Sequence, residues 1–300
     1  MSKPVLDAIQ PAGFFILLSD DWSVLSASAN LRDFLPCDAG DLIGRPLSTL
    51  FSDDAIHTLR NRLALLRDPD GIERVFNCPL HDDSKGFDVA IHCVGDDIIL
   101  EAEPSSGKNY GDMTGTLRAM VGQLEQSTSL GQLLNLGARQ LRSLTGVDRV
   151  LIARHVGDGA GAGDEVVAEC VRGGLESLVG QRFDCDALSA SAGGLYVIAD
   201  VEAETVALLP GLDAPLDLSR AILRVAPPAE LAFLRRFEAR AAMGIALIVG
   251  GKPWGVVAFH HHLPRSPSFE RRAMVELFAA MFAMRIEISE LREQSPPARS

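Results

Sequence analysis

Three hundred residues are enough chain for two modest domains, and 47% hydrophobic against 23% charged side chains is a composition that can pack cores. With 28 Lys and Arg against 40 Asp and Glu the formal charge is −12, the wrong sign for a nucleic-acid backbone or an anionic membrane surface. The longest apolar run, Met243 to Val249, is far below the roughly 20 residues that span a bilayer, and Met1 to Pro11 lacks a signal-peptide pattern, so the chain reads as cytoplasmic.

From the amino terminus, Gly13 to Ser19 and Trp22 to Ser28 are apolar strands on either side of Asp20-Asp21, a predicted hairpin. Asn30 to Leu35 and Asp54 to Leu66 carry helical spacing, the second with Ile56, Leu59, Leu63 and Leu66 on one face. Three more strands are predicted at Ile72 to Cys78, Phe87 to Cys93 and Ile98 to Ala102, with turns at Asp82 to Ser84 and Gly95 to Asp97. Two strands, helices and a three-strand meander make an α+β pattern built on an antiparallel sheet. Pro104 to Asn109 combines turn formers with a loss of apolar residues and marks a boundary. The division is a first domain over 1–104, a linker over 105–115, a second domain over 116–292 and a disordered tail over 293–300.

The second domain opens with helices at Met113 to Gln126 and Ser129 to Thr145, the latter stopped by Gly146. Strands are predicted at Arg149 to His155 and Glu165 to Arg172 around the glycine-rich loop Asp158 to Asp164, then a helix at Pro228 to Arg240. A hairpin of Met243 to Val249 and Trp254 to His262 follows, closed by Gly250 to Pro253. Phe269 to Arg292 is a long helix with more apolar residues than one face can hide. Met274, Phe278, Met281, Phe282 and Leu291 are the residues expected to bury a second surface, in a symmetric dimer or against a partner's helix.

Several features invite a sharper reading. Cys37, Cys78, Cys93, Cys170 and Cys185 show no Cys-x-x-Cys spacing, which supports neither a disulfide framework nor a thiolate zinc site. His260, His261 and His262 lack a third ligand at compatible spacing, so no metal is expected. The glycine-rich loop lies between strands and lacks the Lys-Ser/Thr ending of a phosphate cradle. No nucleophile elbow is present, and an enzyme is not expected.

Ala8-Ile9-Gln10-Pro11, Ser26 to Asn30, Gly146 to Val150, Leu175-Glu176-Ser177, Gly180 to Phe183, Asp217 to Arg224 and Lys252 to His261 together resemble the photosensory core of bacterial phytochromes. That core is a PAS domain followed by a GAF domain that holds a linear tetrapyrrole. The resemblance implies two α+β domains, with the segment around Ile9 threading a loop drawn from Tyr196 to Arg224 in a figure-of-eight knot.

The resemblance also implies a depleted pocket. The family's attachment cysteine would lie before Met1, and in the other known mode the matching position is Ala229. The pyrrole-binding aspartate becomes Ala187, with Asp186 one place earlier, and Cys185 beside it reads as a small buried thiol. The central histidine matches Glu230, and the tyrosine three residues on matches Phe233. Arg224 matches a propionate-binding arginine, His260 matches the histidine that bonds the far ring, and Phe183 lies beside them.

The expected function is a signalling module of the phytochrome family that has lost covalent bilin attachment, lacks the third photosensory domain and the kinase, and acts through protein contacts. No cofactor is expected on this reading. The alternative is a noncovalent sensor of biliverdin or haem, held through Arg224 and His260 with Glu230, Phe233, Asp186 and Phe183. Expected partners are a second copy or a histidine kinase, with neither nucleic acid nor membrane.

Overall fold

Alternating apolar side chains place two antiparallel sheets at the centre of two units, 1–108 with 202–226 and 109–201 with 227–300. The computed structural model describes residues 8–66, 71–81, 85–106, 113–157, 162–183, 194–211 and 216–294. The predicted turn at 82–84, most of the linker, the glycine-rich stretch 158–161, the Cys185 to Ala187 segment and the tail lie outside the described residues.

In the first unit, β1 (Ala8–Ile9), β2 (Phe14–Leu18), β3 (Val24–Ser28), β4 (Glu73–Cys78), β5 (Phe87–Val94) and β6 (Asp97–Pro104) are joined by a strand from far along the chain, β11 (Val206–Leu209). The order is β1-β11-β3-β2-β6-β5-β4. Phe14, Ile16, Leu18, Val89, Ile91 and Leu100 point to one face, where they pack with α1 (Ala39–Leu42) and α2 (Asp53–Leu65). Ser52 caps α2 by accepting from the Ala55 amide. The predicted helix at 30–35 is only a 3-10 turn over Leu31–Asp33, because two turns of buried apolar stripe never develop there.

The opposite face of this sheet is unusually polar for a buried surface: Ser28, Asp88, His92, Glu101 and Glu103 all lie there, alternating with the apolar core positions. The carboxylate of Glu101 is fully buried and accepts from the backbone amides of Ile222 at 2.9 Å and Leu223 at 2.8 Å. Arg220 donates to the Cys93 carbonyl at 2.8 Å. On its far side the same segment takes Gln10, whose amide donates to Leu223 O and whose side chain donates to Arg224 O. Ile9 therefore pairs with Val206 on one edge and with Arg224 on the other. Residues 8–10 are bracketed by both limbs of one loop, the local arrangement that threading requires. The segment 202–226, which the sequence reading leaves inside 116–292, clusters with the first unit because these bonds hold it there.

The second unit has the sheet order β10-β12-β13-β7-β8-β9, from β7 (Arg149–Val156), β8 (Gly163–Val171), β9 (Arg182–Phe183), β10 (Leu195–Ile198), β12 (Ala241–Val249) and β13 (Lys252–His261). Three helices cover one face: α3 (Met113–Leu124), α4 (Leu130–Thr145) and α6 (Phe269–Gln294). Ser129 caps α4, and Gly146 ends it at φ 65°, a left-handed value that glycine adopts without strain. Gly137 lets α4 and α6 approach closely, since a Cβ there would stand 2.5 Å from the Phe282 ring. The remaining helix, α5 (Pro228–Arg236), stops short of the predicted Arg240 because the chain turns at Glu238, φ 53°, to enter β12. Met274, Phe278 and Phe282, expected on a dimer face, instead fill this unit's own core between α6 and the sheet.

Two predictions follow from the polar face of the first unit. Glu101→Ala leaves two buried amides without their acceptor, so urea unfolding should show a loss of about 2 to 5 kcal/mol. His92 is fully buried, neither ring nitrogen has a hydrogen-bond partner among the described residues, and burial, then the Arg220 cation, push its pKa down to about 4. The unfolded chain takes up this proton near pH 6.5, so the stability due to neutral His92 is complete above that pH and is lost as pH falls toward 4. Between pH 7 and pH 5 the share removed by His92→Leu should be on the order of 2 kcal/mol, read from urea midpoints.

Candidate ligand site of the second unit

Pro228 occupies the first turn of α5, where its missing amide costs nothing and its fixed φ favours helix. The helix then presents Glu230, Phe233 and Leu234 inward, all buried. Phe233 packs tilted against Phe237 at 4.9 Å between ring centroids, and Phe183 of β9 meets both edge-on, at 5.1 Å and 5.7 Å. Edge-to-face packing of this kind suits the ring quadrupoles and makes a continuous aromatic wall.

His260 comes to this wall from β13. Val257 and Phe259 of that strand point into the helix-covered core, so the pleat turns His260 to the opposite face, with its ring edge-on to Phe233 at 6.0 Å. Burial, and after it the Arg149 cation, push His260 down to about 3. The imidazole is therefore neutral at physiological pH and a weak base, poorly suited to proton abstraction. Its Nδ1 is buried and has no hydrogen-bond partner among the described residues.

Arg149 stands directly opposite His260 in the β7–β13 register. It forms a buried ion pair with Glu169 of β8 at 2.9 Å and donates to the Glu176 carbonyl at 2.7 Å. Breaking such a pair by removing one partner strands a buried charge, so the pair fixes the floor beneath the imidazole.

Of the residues expected to hold a tetrapyrrole, Phe183, Phe233, Glu230 and His260 belong to this unit, and the aromatic pair and His260 are in contact. Arg224 belongs to the first unit, where its backbone pairs with Ile9. Asp186 lies outside the described residues. Sequence reasoning overlooked Phe237 and the Arg149–Glu169 pair. Phe237 is four residues after Phe233, a helical spacing that could have flagged it, whereas the place of Arg149 depends on strand register and leaves no local signal. A wall of aromatic rings with one neutral imidazole and one buried carboxylate suits a flat, conjugated ligand carrying a few polar groups.

The GAF domain family matches residues 129–289 and the PAS fold matches residues 5–105. A bacteriophytochrome of Pseudomonas aeruginosa is 30% identical over 298 residues, covering 93% of this chain and 39% of its own length. Cyanobacterial phytochrome B of Nostoc is 26% identical over 96% of this chain and 40% of its own length. The chain thus spans about two fifths of the curated relatives it matches. Among solved structures, the chromophore-binding domain of the unusual bacteriophytochrome RpBphP3 from R. palustris superposes with a TM-score of 0.82 at 25% identity, covering 96% of this chain and 97% of that one. That relative binds a chromophore, so the expectation of no cofactor draws no support from it. With more than half of its residues matched, the chain belongs to the GAF domain family, joined here to a PAS fold in a phytochrome-like photosensory module.

Proposed function

We propose that this chain is a sensory and signalling module whose output passes through α6, and that its second unit holds no bilin by a thioether on α5. The carrying observation is a stripe on α6. Leu277, Met284, Ile288 and Leu291 are 49%, 58%, 39% and 56% exposed, with Met281 half-buried between them. Their spacing of four, three, four and three is the seam of a two-stranded coiled coil. Val275, Phe278, Phe282 and Ile286 occupy the opposite side and are committed to the core. The occupant of the seam is a second copy of this chain, with the helix of a histidine kinase as the heteromeric version.

Light scattering on the chain should give a dimer, and Leu277→Glu with Leu291→Glu should shift it to monomer while leaving circular dichroism unchanged. A strict monomer in the unmodified chain rejects the homodimer. Phe278→Glu is unsuitable, because it would break the core rather than the seam.

The thioether statement rests on Ala229, whose methyl group has no sulfur to offer at the position that the family resemblance aligns with an attachment cysteine. The orphaned Nδ1 of His260 favours a second reading, in which a tetrapyrrole is held noncovalently and that nitrogen bonds a polar group of it. Supplied with biliverdin, the denatured chain should show no zinc-induced fluorescent band on a gel, and a band abolished in Cys185→Ser would overturn this. If native absorbance reveals bound pigment, His260→Ala should weaken titrated binding roughly tenfold, on the order of the 1 to 2 kcal/mol that one buried hydrogen bond contributes.

A further inference from the structure

We propose that Asp148, His261 and His262 form a site for a divalent transition-metal ion such as Zn2+. The sequence offers adjacent histidines without a third ligand; folding supplies it from 114 residues before His262, at the junction of α4 and β7. One ligand atom from each of the three side chains lies within 4.8 Å of the other two.

The crowding around one oxygen carries the argument. Oδ2 of Asp148 is approached by Nδ1 of His262, by Nδ1 of His261 at 2.8 Å and by the His262 amide at 3.0 Å. Three nitrogens meet an atom with two lone pairs, and the His261 contact lacks hydrogen-bond alignment. Two imidazoles and a carboxylate converging in this way satisfy one another when they share a cation.

The other carboxylate oxygen, Oδ1, faces Arg172 at 3.1 Å, an outer contact that orients the ligand and leaves Oδ2 for the ion. Two imidazoles with one carboxylate suit Zn2+, Ni2+ or Cu2+ better than Ca2+ or Mg2+, which prefer oxygen. The His262 side chain is 45% exposed, so a fourth position opens to solvent, as it does where zinc keeps a water. His260 takes no part, since it lies on the buried side with the aromatic wall.

The test is isothermal titration of ZnSO4 into the untagged, metal-stripped chain. One equivalent should bind, His262→Ala should weaken binding roughly tenfold or more, and His57→Ala, in the first unit, should leave it unchanged. Because His262 is half-exposed, its substitution leaves the core intact. Co2+ in place of Zn2+ should give visible ligand-field bands that His262→Ala removes. No uptake of Zn2+, or uptake unaltered in both His261→Ala and His262→Ala, overturns the proposal.

Discussion

The buried carboxylate of Glu101 is the contact on which the first unit turns. A charge at the centre of a sheet is costly unless its acceptor positions are filled, and here two backbone amides from residues 121 and 122 positions later fill them. That requirement recruits the segment 216–226 onto the polar face, where Arg220 also donates to the Cys93 carbonyl. Once seated, the segment supplies Leu223 and Arg224 as acceptors for Gln10, and its other limb supplies β11 as the strand between β1 and β3. One polar face thus explains the seven-stranded sheet, the bracketing of residues 8–10 and the division of the chain.

The second unit solves the reverse problem. Its helix-covered face is apolar at the centre, with Arg154 paired to Glu290 of α6, and on the other face Arg149 and Glu169 neutralise each other beside a neutral imidazole. The aromatic rings of Phe183, Phe233 and Phe237 exclude water there, which strengthens the field that Arg149 exerts on His260.

Long elements were legible from the sequence because periodicity repeats: α2, α4, α6 and the pairs β5–β6 and β12–β13 all fall within a few residues of their predicted bounds. The short strands β1, β9, β10 and β11 were not, since two to four residues carry no period and their pairing is decided by distant partners. Which face a residue takes was harder still. The apolar residues of α6 exceed what one face buries, and Met274, Phe278 and Phe282, expected on the association face, belong to the core, a distinction that packing against β12 and α4 makes. Asp148 carries no local signal of its own in the sequence, and its meeting with His261 and His262 is a product of strand order.

The membership of 202–226 in the first unit bears on how the protein is made. Synthesis proceeds from the amino terminus, so β1 to β6 emerge long before the residues that complete their sheet. Until Leu223 has left the ribosome, Glu101 lacks the Ile222 and Leu223 amides and β3 lacks its outer neighbour β11. The first domain to be translated therefore cannot be the first to finish, and its non-local pairing favours slow closure. A fragment ending near residue 104 would turn the Glu101 face to water and leave an open strand edge, so the first unit is complete only once residues 202–226 have been made.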